Sequence, residues 1–375
     1  MSTLFSSSTI NTMRLPNRFV RSATWEGMAA DDGAVTPQLT ETMKNLARGG
    51  VGLIISSHAY VSREGQAGPW QLGIYKDELV EGLGKMTAAV HAAGGKIVAQ
   101  LAHAGQAAAA SLSGRTPMVV SDFAGLMKSP RQEMTAPDIR HIITDFADAA
   151  GRAKASGFDG VQLHAAHGYL LNQFLSPAFN RRQDEYGGSV ANRARIVLDV
   201  LRAVRETVGR DFPILVKMNS QDFIENGLTL PDSVQVAELL AAVGIDAVEL
   251  SGGMVGSAKL MPSRTGINSE ETEAYFREEA RAFKKRISVP LILVGGLRSL
   301  EVAETLMEEG VADYISMCRP FIREPGLINR WKAGDRRKST CLSDNQCFNP
   351  GREGKGIYCV VEEREQAKKK ENRND

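Results

Sequence analysis

The chain has 375 residues, of which 43% are hydrophobic and 24% are charged, and these are the proportions of an ordinary soluble globular protein. They exclude a collagen, a mucin-like stalk and a mainly disordered chain. The 45 basic and 44 acidic side chains leave a net charge of +1, so no charge excess would draw the protein onto nucleic acid or an anionic membrane. The apolar runs are also far shorter than the roughly 20 residues of a membrane span. We expect neither nucleic acid nor a membrane as a partner.

Eight short apolar segments rich in Val and Ile recur along the chain. Their bodies are continuous apolar runs rather than strict alternations, which is typical of parallel strands covered on both faces. In chain order, the predicted strands cover residues 17–24, 51–59, 96–105, 159–168, 213–220, 247–253, 290–296 and 313–319.

Between these strands, apolar side chains fall at steps of three or four residues, as on one face of a helix. One such series is Val197, Val200, Leu201, Val204 and Val208. Thr135, with Asp138 three residues later, is a pattern that begins a helix. Eight alternations of strand and helix predict an α/β protein with the fold of a (β/α)8 TIM barrel. The count alone leaves a doubly wound open sheet as the alternative.

The chain is predicted to have three parts. A barrel covers 1–335, a cysteine-containing extension packed on the barrel covers 336–361, and a charged, disordered tail covers 362–375, because this last segment holds almost no apolar residue. The four cysteines, Cys318, Cys341, Cys347 and Cys359, all lie near the end of the chain, so no disulfide framework holds the fold together. A reducing cytoplasm is the expected compartment.

Polar residues follow the apolar bodies of the predicted strands, at the end of a barrel where active sites lie. In chain order these residues are Ser22 and Thr24, His58, Gln100, His164 and His167, Lys217, Gly295 and Gly296, and Cys318 and Arg319. They predict one polar mouth on an otherwise apolar barrel.

Gly295 and Gly296, followed by a helix that opens at Ser299, are a candidate phosphate site. Glycines let backbone N–H groups approach an anion, and the amino end of a helix favours negative charge. Arg319, just after the eighth strand, could donate a bidentate, charged pair of hydrogen bonds to the same anion. The alternative is that the two glycines only form a tight turn.

His164 and His167 could bind a metal, but no acidic residue stands beside them to complete such a site, and on a regular strand the two would point to opposite faces. They converge only if the chain bends at the strand end. They would then donate two hydrogen bonds to an oxygen that gains negative charge, and Tyr169 could supply a proton. Lys217 is either a strand-end lysine reaching solvent or a cation set against that negative charge.

These residues lie in motifs that resemble the old yellow enzyme family, which consists of FMN-dependent NAD(P)H oxidoreductases on an α/β barrel. The resemblance covers roughly residues 5–335. Its motifs are NRFVRSAT at 17–24, QLAHAGQ at 100–106, GFDGVQLHAAHGYLLNQFLSPAFNRRQDEYGGSVANR at 157–193, VGG at 294–296 and RPFIREP at 319–325.

The resemblance implies FMN as cofactor, NADPH or NADH as reductant, and a small-molecule substrate with an activated C=C bond, namely an α,β-unsaturated carbonyl compound. Hydride would pass from flavin N5 to the alkene. His164 and His167 would hold the carbonyl oxygen, and Tyr169 would donate the proton. The resemblance also implies a homo-oligomer. The residues it assigns to cofactor binding are Ser22, Ala23, Thr24, His58, Gln100, His164, Lys217, Gly295, Gly296, Cys318 and Arg319.

The chain departs from the family in two places. Trp25 stands where one branch of the family has a cysteine beside the flavin, and it could stack on a ligand or pack in the core. The extension resembles the iron–sulfur segment of larger relatives, but Asp344 stands where a second cysteine would be, between Cys341 and Cys347, with Cys359 further on. We predict no metal site, although a cluster or zinc on these four residues stays open.

Other functions are weighed against this one. The flavin could pass its electrons to a quinone, a nitro compound or another acceptor. A metal-dependent barrel hydrolase would need carboxylate ligands, which His164 and His167 lack as neighbours. A non-catalytic barrel would need none of Tyr169, His164, His167 and Lys217.

Overall fold

Eight apolar strands form a closed parallel barrel in the computed structural model, which describes residues 3–123, 130–254 and 256–374. The strands are β1 Phe19–Arg21, β2 Leu53–Tyr60, β3 Ile97–Ala102, β4 Gly160–Ala165, β5 Ile214–Asn219, β6 Ala247–Ser251, β7 Leu291–Val294 and β8 Tyr314–Met317. Strand β8 pairs with β1, which closes the sheet. The predicted TIM barrel is confirmed, and the open sheet is excluded.

Helices follow the strands, and four of the eight around the barrel begin after a Ser or Thr whose side chain caps the first turn. The helices around the barrel are α1 Pro37–Arg48, α2 Val80–Ala92, α3 Ala136–Ala155, α4 Val190–Val208, α5 Leu230–Val243, α6 Arg277–Lys284, α7 Leu300–Glu308 and α8 Leu327–Lys332. Shorter helices cover Ala110–Ser113, Leu170–Leu175, Arg319–Arg323 and Asn349–Arg352. The predicted pair Thr135 and Asp138 forms a reciprocal capping box at the start of α3.

Two apolar layers hold the barrel. The larger layer lies between the strands and the surrounding helices. The smaller layer fills the barrel at the amino ends of its strands, where Val20, Val98 and Tyr314 pack with Ile10 and Leu15. The last two belong to a hairpin of Ser8–Ile10 and Met13–Leu15, which precedes β1. This hairpin closes the amino end, so the carboxyl end is left for a ligand.

The segment 336–361 lies against the barrel, in contact with its loops. The Ser339 N–H donates to the Arg298 carbonyl at 2.8 Å, and the Ile357 N–H donates to the Glu26 carbonyl at 2.8 Å. The division of the chain into three parts stays a prediction.

The end of the chain differs from its prediction as a disordered tail over 362–375. The structure has a helix over Val360–Asn374, and Asp375 lies outside the described residues. The prediction rested on the lack of apolar residues, but Glu, Lys, Arg, Gln and Ala are among the best helix formers. An ion pair between Arg323 and Glu365 joins this helix to the barrel. In the ranges that the structure describes, no helix is long and apolar enough to cross a membrane.

Candidate active site

A cavity of about 360 Å³ opens at the carboxyl end of the barrel and is lined from all eight strands or the residues directly after them. Every residue predicted for the site lines it, with the exception of Gly295. From the sequence prediction, the lining residues are Ser22, Ala23, Thr24, His58, Gln100, His164, His167, Tyr169, Lys217, Gly296, Cys318 and Arg319. Residues that are distant in the chain therefore meet as the barrel fold requires.

Four rings gather at one end of the cavity, and we call His58, His164, His167 and Tyr169 the histidine corner. The ring centroids of His164 and Tyr169 are 4.8 Å apart, and those of His164 and His167 are 5.4 Å apart. Strand β4 ends at Ala165, and His167 then has a left-handed φ of +63°. This is the bend that the sequence required for the two imidazoles to converge.

Contacts with neighbouring strands hold that bend. The His167 N–H donates to Asn219 Oδ1 at 3.1 Å, and His167 Nε2 lies 2.8 Å from Ser251 Oγ. Asn219 and Ser251 end β5 and β6. The His167 ring is therefore fixed from two neighbouring strands.

The histidine corner is neutral at pH 7. Burial lowers the pKa of His58 to about 4, and it lowers the pKa of His164 and of His167 well below the ordinary value, with nearby Lys217 and His58 adding to the effect. Burial also raises the pKa of Tyr169 to about 12, so the phenol keeps its proton. Among the described residues, none lies within hydrogen-bonding distance of the buried His164 Nδ1.

A second group of polar side chains crosses the barrel beneath the cavity, centred on Glu249 in β6. Ser22 Oγ and Ser316 Oγ donate to Glu249 Oε1 at 2.7 and 2.8 Å. Lys217 Nζ donates to Ser22 Oγ at 2.6 Å and lies 3.4 Å from Glu249 Oε1. On the other carboxylate oxygen, Gln162 Nε2 donates at 2.9 Å.

Gln100 joins this group because its Nε2 donates to Gln162 Oε1 at 2.7 Å. We call the six residues the charged network; they are Ser22, Gln100, Gln162, Lys217, Glu249 and Ser316. Burial raises the pKa of Glu249, but Lys217 and three hydrogen bonds outweigh it, so the pKa lies below its ordinary value. The carboxylate is therefore ionised and balances Lys217.

The sequence analysis missed Gln162 and Glu249. Both lie inside strands, paired with Gln100 and Lys217 of the neighbouring strands. A signal was present, because each is a long polar side chain in an otherwise apolar segment, GVQLHA for Gln162 and AVELS for Glu249.

The glycine end of the cavity is shaped by an aromatic ring. Gly295 and Gly296 have φ values of +142° and +73°. A Cβ at Gly296 would lie 2.8 Å from the Tyr275 ring, and one at Gly295 would lie 3.1 Å from it. Glycine is therefore needed at both positions. Tyr275, which the sequence analysis also missed, is held by its hydroxyl, which donates to the Pro262 carbonyl at 2.7 Å.

The predicted helix terminus after these glycines is not open to a phosphate. The N–H groups of Arg298 and Ser299 donate to Glu273 Oε2 at 2.8 and 3.0 Å, and Ser299 Oγ donates to Glu273 Oε1 at 2.6 Å. This carboxylate comes from a loop 25 residues before Arg298 in the chain, so the local sequence did not reveal it. Two N–H groups at this terminus are therefore already bound, and a phosphate site at the two glycines and Arg319 stays a prediction.

Arg319 is held in place by two residues that are distant in the chain. Its Nη1 donates to the Arg264 carbonyl at 2.8 Å and to Asn345 Oδ1 at 2.9 Å. Beside it, Cys318 Sγ lies 2.7 Å from Thr24 Oγ1. The guanidinium is therefore oriented before any ligand binds.

The extension and Trp25 close one side of the cavity. Ser343 and Phe348 line it, and we call these two residues the extension wall. Trp25 also lines the cavity, while its ring packs against Gly27 and Gly351. The tryptophan thus both faces the ligand space and packs against the extension.

The four candidate metal-binding residues of the extension lie around a separate small cavity of about 20 Å³. They are Cys341, Asp344, Cys347 and Cys359. Arg323 Nη1 donates to Cys359 Sγ at 3.6 Å. In the part of the chain that the structure describes, no group of three or more His, Cys, Asp or Glu residues is arranged to hold a metal ion.

Comparison with known proteins assigns the barrel and its cavity to a class of flavin oxidoreductases. The model of the NADH:flavin oxidoreductase / NADH oxidase family matches residues 3–338. The chain belongs to this family. The predicted family is confirmed.

Individual relatives agree with the assignment. The chain is 36% identical over 348 residues to an NADH oxidase from Thermoanaerobacter brockii, covering 91% of this chain and 52% of that protein. It is 35% identical over 323 residues to an NADPH dehydrogenase from a Geobacillus species, covering 86% of this chain and 91% of that protein. The chain thus spans about half the length of the NADH oxidase.

A solved structure gives the same result for the fold. The old yellow enzyme homologue from Zymomonas mobilis matches with a TM-score of 0.76 at 29% identity, covering 91% of this chain and 96% of that one.

Proposed function

We propose that the protein is an FMN-dependent NAD(P)H oxidoreductase that reduces the activated C=C bond of an α,β-unsaturated carbonyl compound. The observation that carries this proposal is the histidine corner, where neutral imidazoles and a protonated phenol surround one end of the cavity. The buried His164 Nδ1 lacks a partner among the described residues, so it is free to bind a ligand oxygen. An orphaned buried nitrogen costs free energy unless a ligand satisfies it.

The cavity suits a flavin mononucleotide. Gly296, whose backbone lines the cavity beside Tyr275, and the oriented Arg319 suit the phosphate. At the other end, the Gln100 amide and the Lys217 ammonium suit the polar edge of a flavin ring. Ser22, Ala23, Thr24, His58 and Cys318 complete the predicted contacts. When bound, FMN supplies the electron transfer between nicotinamide and substrate.

The residues of the chain then handle the substrate oxygen and the proton. His164 and His167 donate N–H groups to the carbonyl oxygen, which gains negative charge as the alkene accepts electrons. Tyr169 donates the proton of its phenol to the α-carbon. Trp25 and the extension wall exclude water from the same space.

The proposal is tested with Tyr169→Phe. Stopped-flow absorbance would follow flavin reduction by NADPH or NADH and then flavin reoxidation by cyclohexenone. We expect the ratio of the reoxidation rate to the reduction rate to fall by about 10² or more, the usual contribution of a positioned acid. An unchanged ratio removes Tyr169 from the reaction. Reduction followed by no reoxidation in the wild-type protein would instead favour a quinone or nitro acceptor.

We also propose that the protein acts in the cytoplasm. The absence of disulfides among the described cysteines supports this, since all four are free thiols. The homo-oligomeric state stays a prediction.

A further inference from the structure

A glutamine beside the histidine corner has a fixed orientation. Gln71 is 1% exposed, and its Oε1 accepts a hydrogen bond from the Ala67 N–H at 2.7 Å. Because a backbone N–H can only donate, the oxygen of the Gln71 amide must face Ala67. The NH2 group therefore faces the opposite direction, towards His58.

This orientation determines which nitrogen of His58 carries its proton. Gln71 Nε2 lies 2.8 Å from His58 Nδ1 and donates to the His58 carbonyl at 3.0 Å. An amide NH2 group only donates, so Nδ1 must accept. A neutral imidazole has one N–H group, which must then be at Nε2. His58 Nε2 lies 3.4 Å from the Tyr169 hydroxyl oxygen.

We propose that His58 is a positioning residue for Tyr169. In this proposal, Gln71 fixes the tautomer of His58 that has its N–H at Nε2. His58 Nε2–H donates to the phenol oxygen, so the phenol's own proton points away from His58 and into the cavity. When that proton moves to the α-carbon of the substrate, the negative charge left on the phenol oxygen accepts the same hydrogen bond. His58 keeps its own proton throughout. The inference rests on the proposed function for Tyr169 as the proton donor.

The surroundings of His58 support a neutral ring in a fixed plane. Its ring lies nearly parallel to that of His164, at an interplanar angle of 9° and a centroid distance of 6.3 Å. The Tyr169 ring meets it edge-on, with centroids 5.4 Å apart. Burial lowers the pKa of His58 to about 4, which keeps the imidazole uncharged at pH 7. Without Gln71, both tautomers would be available to the ring, and in one of them Tyr169 would donate its proton to His58.

The tautomer is measured directly by nitrogen NMR of the FMN-bound protein labelled with 15N-histidine. The chain has six histidines, and His58→Gln identifies the signals of His58 by their loss. We expect Nε2 protonated and Nδ1 unprotonated at pH 7, and a mixture of tautomers in Gln71→Leu. A proton on Nδ1 in the wild-type protein overturns the inference, and this result does not depend on the reaction being alkene reduction.

Kinetics test whether His58 acts through Tyr169. We expect His58→Phe, which keeps a flat ring but removes the N–H, to lower the ratio of cyclohexenone reduction to flavin reduction by about 10-fold, as for a lost hydrogen bond to a charged group. His58→Gln, which retains a donor, should restore most of this loss. In a Tyr169→Phe background, His58→Phe should cause no further loss.

The outcomes separate the two proposals. An equal loss from His58→Phe with and without Tyr169 overturns the positioning role, because the effect would then be a general disturbance of the cavity. If Tyr169→Phe leaves alkene reduction unchanged, the proposed function fails, while the NMR experiment still reports on the His58 tautomer.

Discussion

The histidine corner lines the cavity and the charged network lies beneath it, and the two differ in how completely their polar atoms are hydrogen-bonded. In the network, the Glu249 carboxylate accepts hydrogen bonds from Ser22, Ser316 and Gln162, and it also lies 3.4 Å from Lys217. In the corner, His164 Nδ1 has no hydrogen-bond partner in the described ranges. The network is ionised, whereas the corner is neutral.

A functional site must be stable in the folded protein and must also keep polar atoms available for a ligand, and the two regions meet these requirements separately. Buried charges are stable only if they are paired, so a complete network fixes the geometry of the strands it joins. Unpaired donors are costly in the free protein, and a ligand that satisfies them regains that free energy. We therefore expect substitution of Glu249, which does not line the cavity, to affect mainly stability, and substitutions in the corner to affect mainly activity.

The largest expected effect is on the network side. Glu249→Ala leaves the buried Lys217 without its counterion, and we expect the free energy of unfolding to fall by about 3–5 kcal/mol. Denaturant unfolding of the FMN-bound protein measures this. Glu301→Ala is the matched control, because its pair with Arg336 is about half exposed and should contribute less than about 1 kcal/mol. Equal losses in the two variants would contradict the importance of the network.

A substitution in the histidine corner should lower activity more than stability. His164→Ala removes a group without breaking any hydrogen bond of its Nδ1 in the described part of the chain, and it takes a donor from the substrate oxygen. We expect alkene reduction to slow by about 10²–10³, with a smaller loss of stability than in Glu249→Ala. Stopped-flow reoxidation and denaturant unfolding on the same preparation decide this. A large loss of stability with little change in rate would make His164 a structural residue.

The histidine corner and the charged network should lose their contributions to stability in different pH ranges. The three histidines of the corner have pKa values below their ordinary value of 6.5, so the unfolded chain binds more protons, and stability falls as the pH drops below about 6.5. Each histidine contributes up to about 1.4 kcal/mol per pH unit. Glu249 has a pKa below its ordinary 4.5, so its contribution is present above that pH and is lost only in stronger acid.

Unfolding curves between pH 7.5 and 3.5 measure both parts. His58→Gln should make the slope between pH 6.5 and 5 shallower by about one proton. A stability that stays level down to pH 5 would show that the imidazoles of the corner are not buried in their neutral form.

The smallest expected effect is on FMN binding at Gly296. Gly310, another glycine with a left-handed φ, serves as the control. Gly296→Ala places a Cβ 2.8 Å from the Tyr275 ring, whereas a Cβ at Gly310 has open space. Their φ values of +73° and +66° make the backbone strain similar. We expect about 10-fold weaker FMN binding for Gly296→Ala alone, measured by flavin fluorescence. Equal weakening by Gly310→Ala would remove the special role of Gly296.

The fold was predictable because each strand carries its own signal. A continuous apolar run such as that of β5 needs covering on both faces wherever it lies, so the eight runs implied a parallel sheet without knowledge of contacts, and their number favoured a barrel over an open sheet. The C-terminal helix was missed because the absence of apolar residues was taken for disorder, although helix propensity does not depend on burial.

The site was predictable where a polar residue interrupts the later part of an apolar run, and not where residues act across the barrel. His164 and Lys217 could be found in this way, although both lie inside their strands. Glu249 required knowledge that β6 places it against Ser22, and Glu273 required knowledge that a loop returns to the start of α7. Such contacts join residues far apart in the chain, and one sequence does not record them.

The position of the extension wall in the chain affects how the protein is made. Ser343 and Phe348 follow all eight strands in sequence, so the ribosome adds them only after every strand of the barrel has been synthesised. The side of the cavity that these two residues cover is therefore built from a part of the chain that is made after every strand of the barrel.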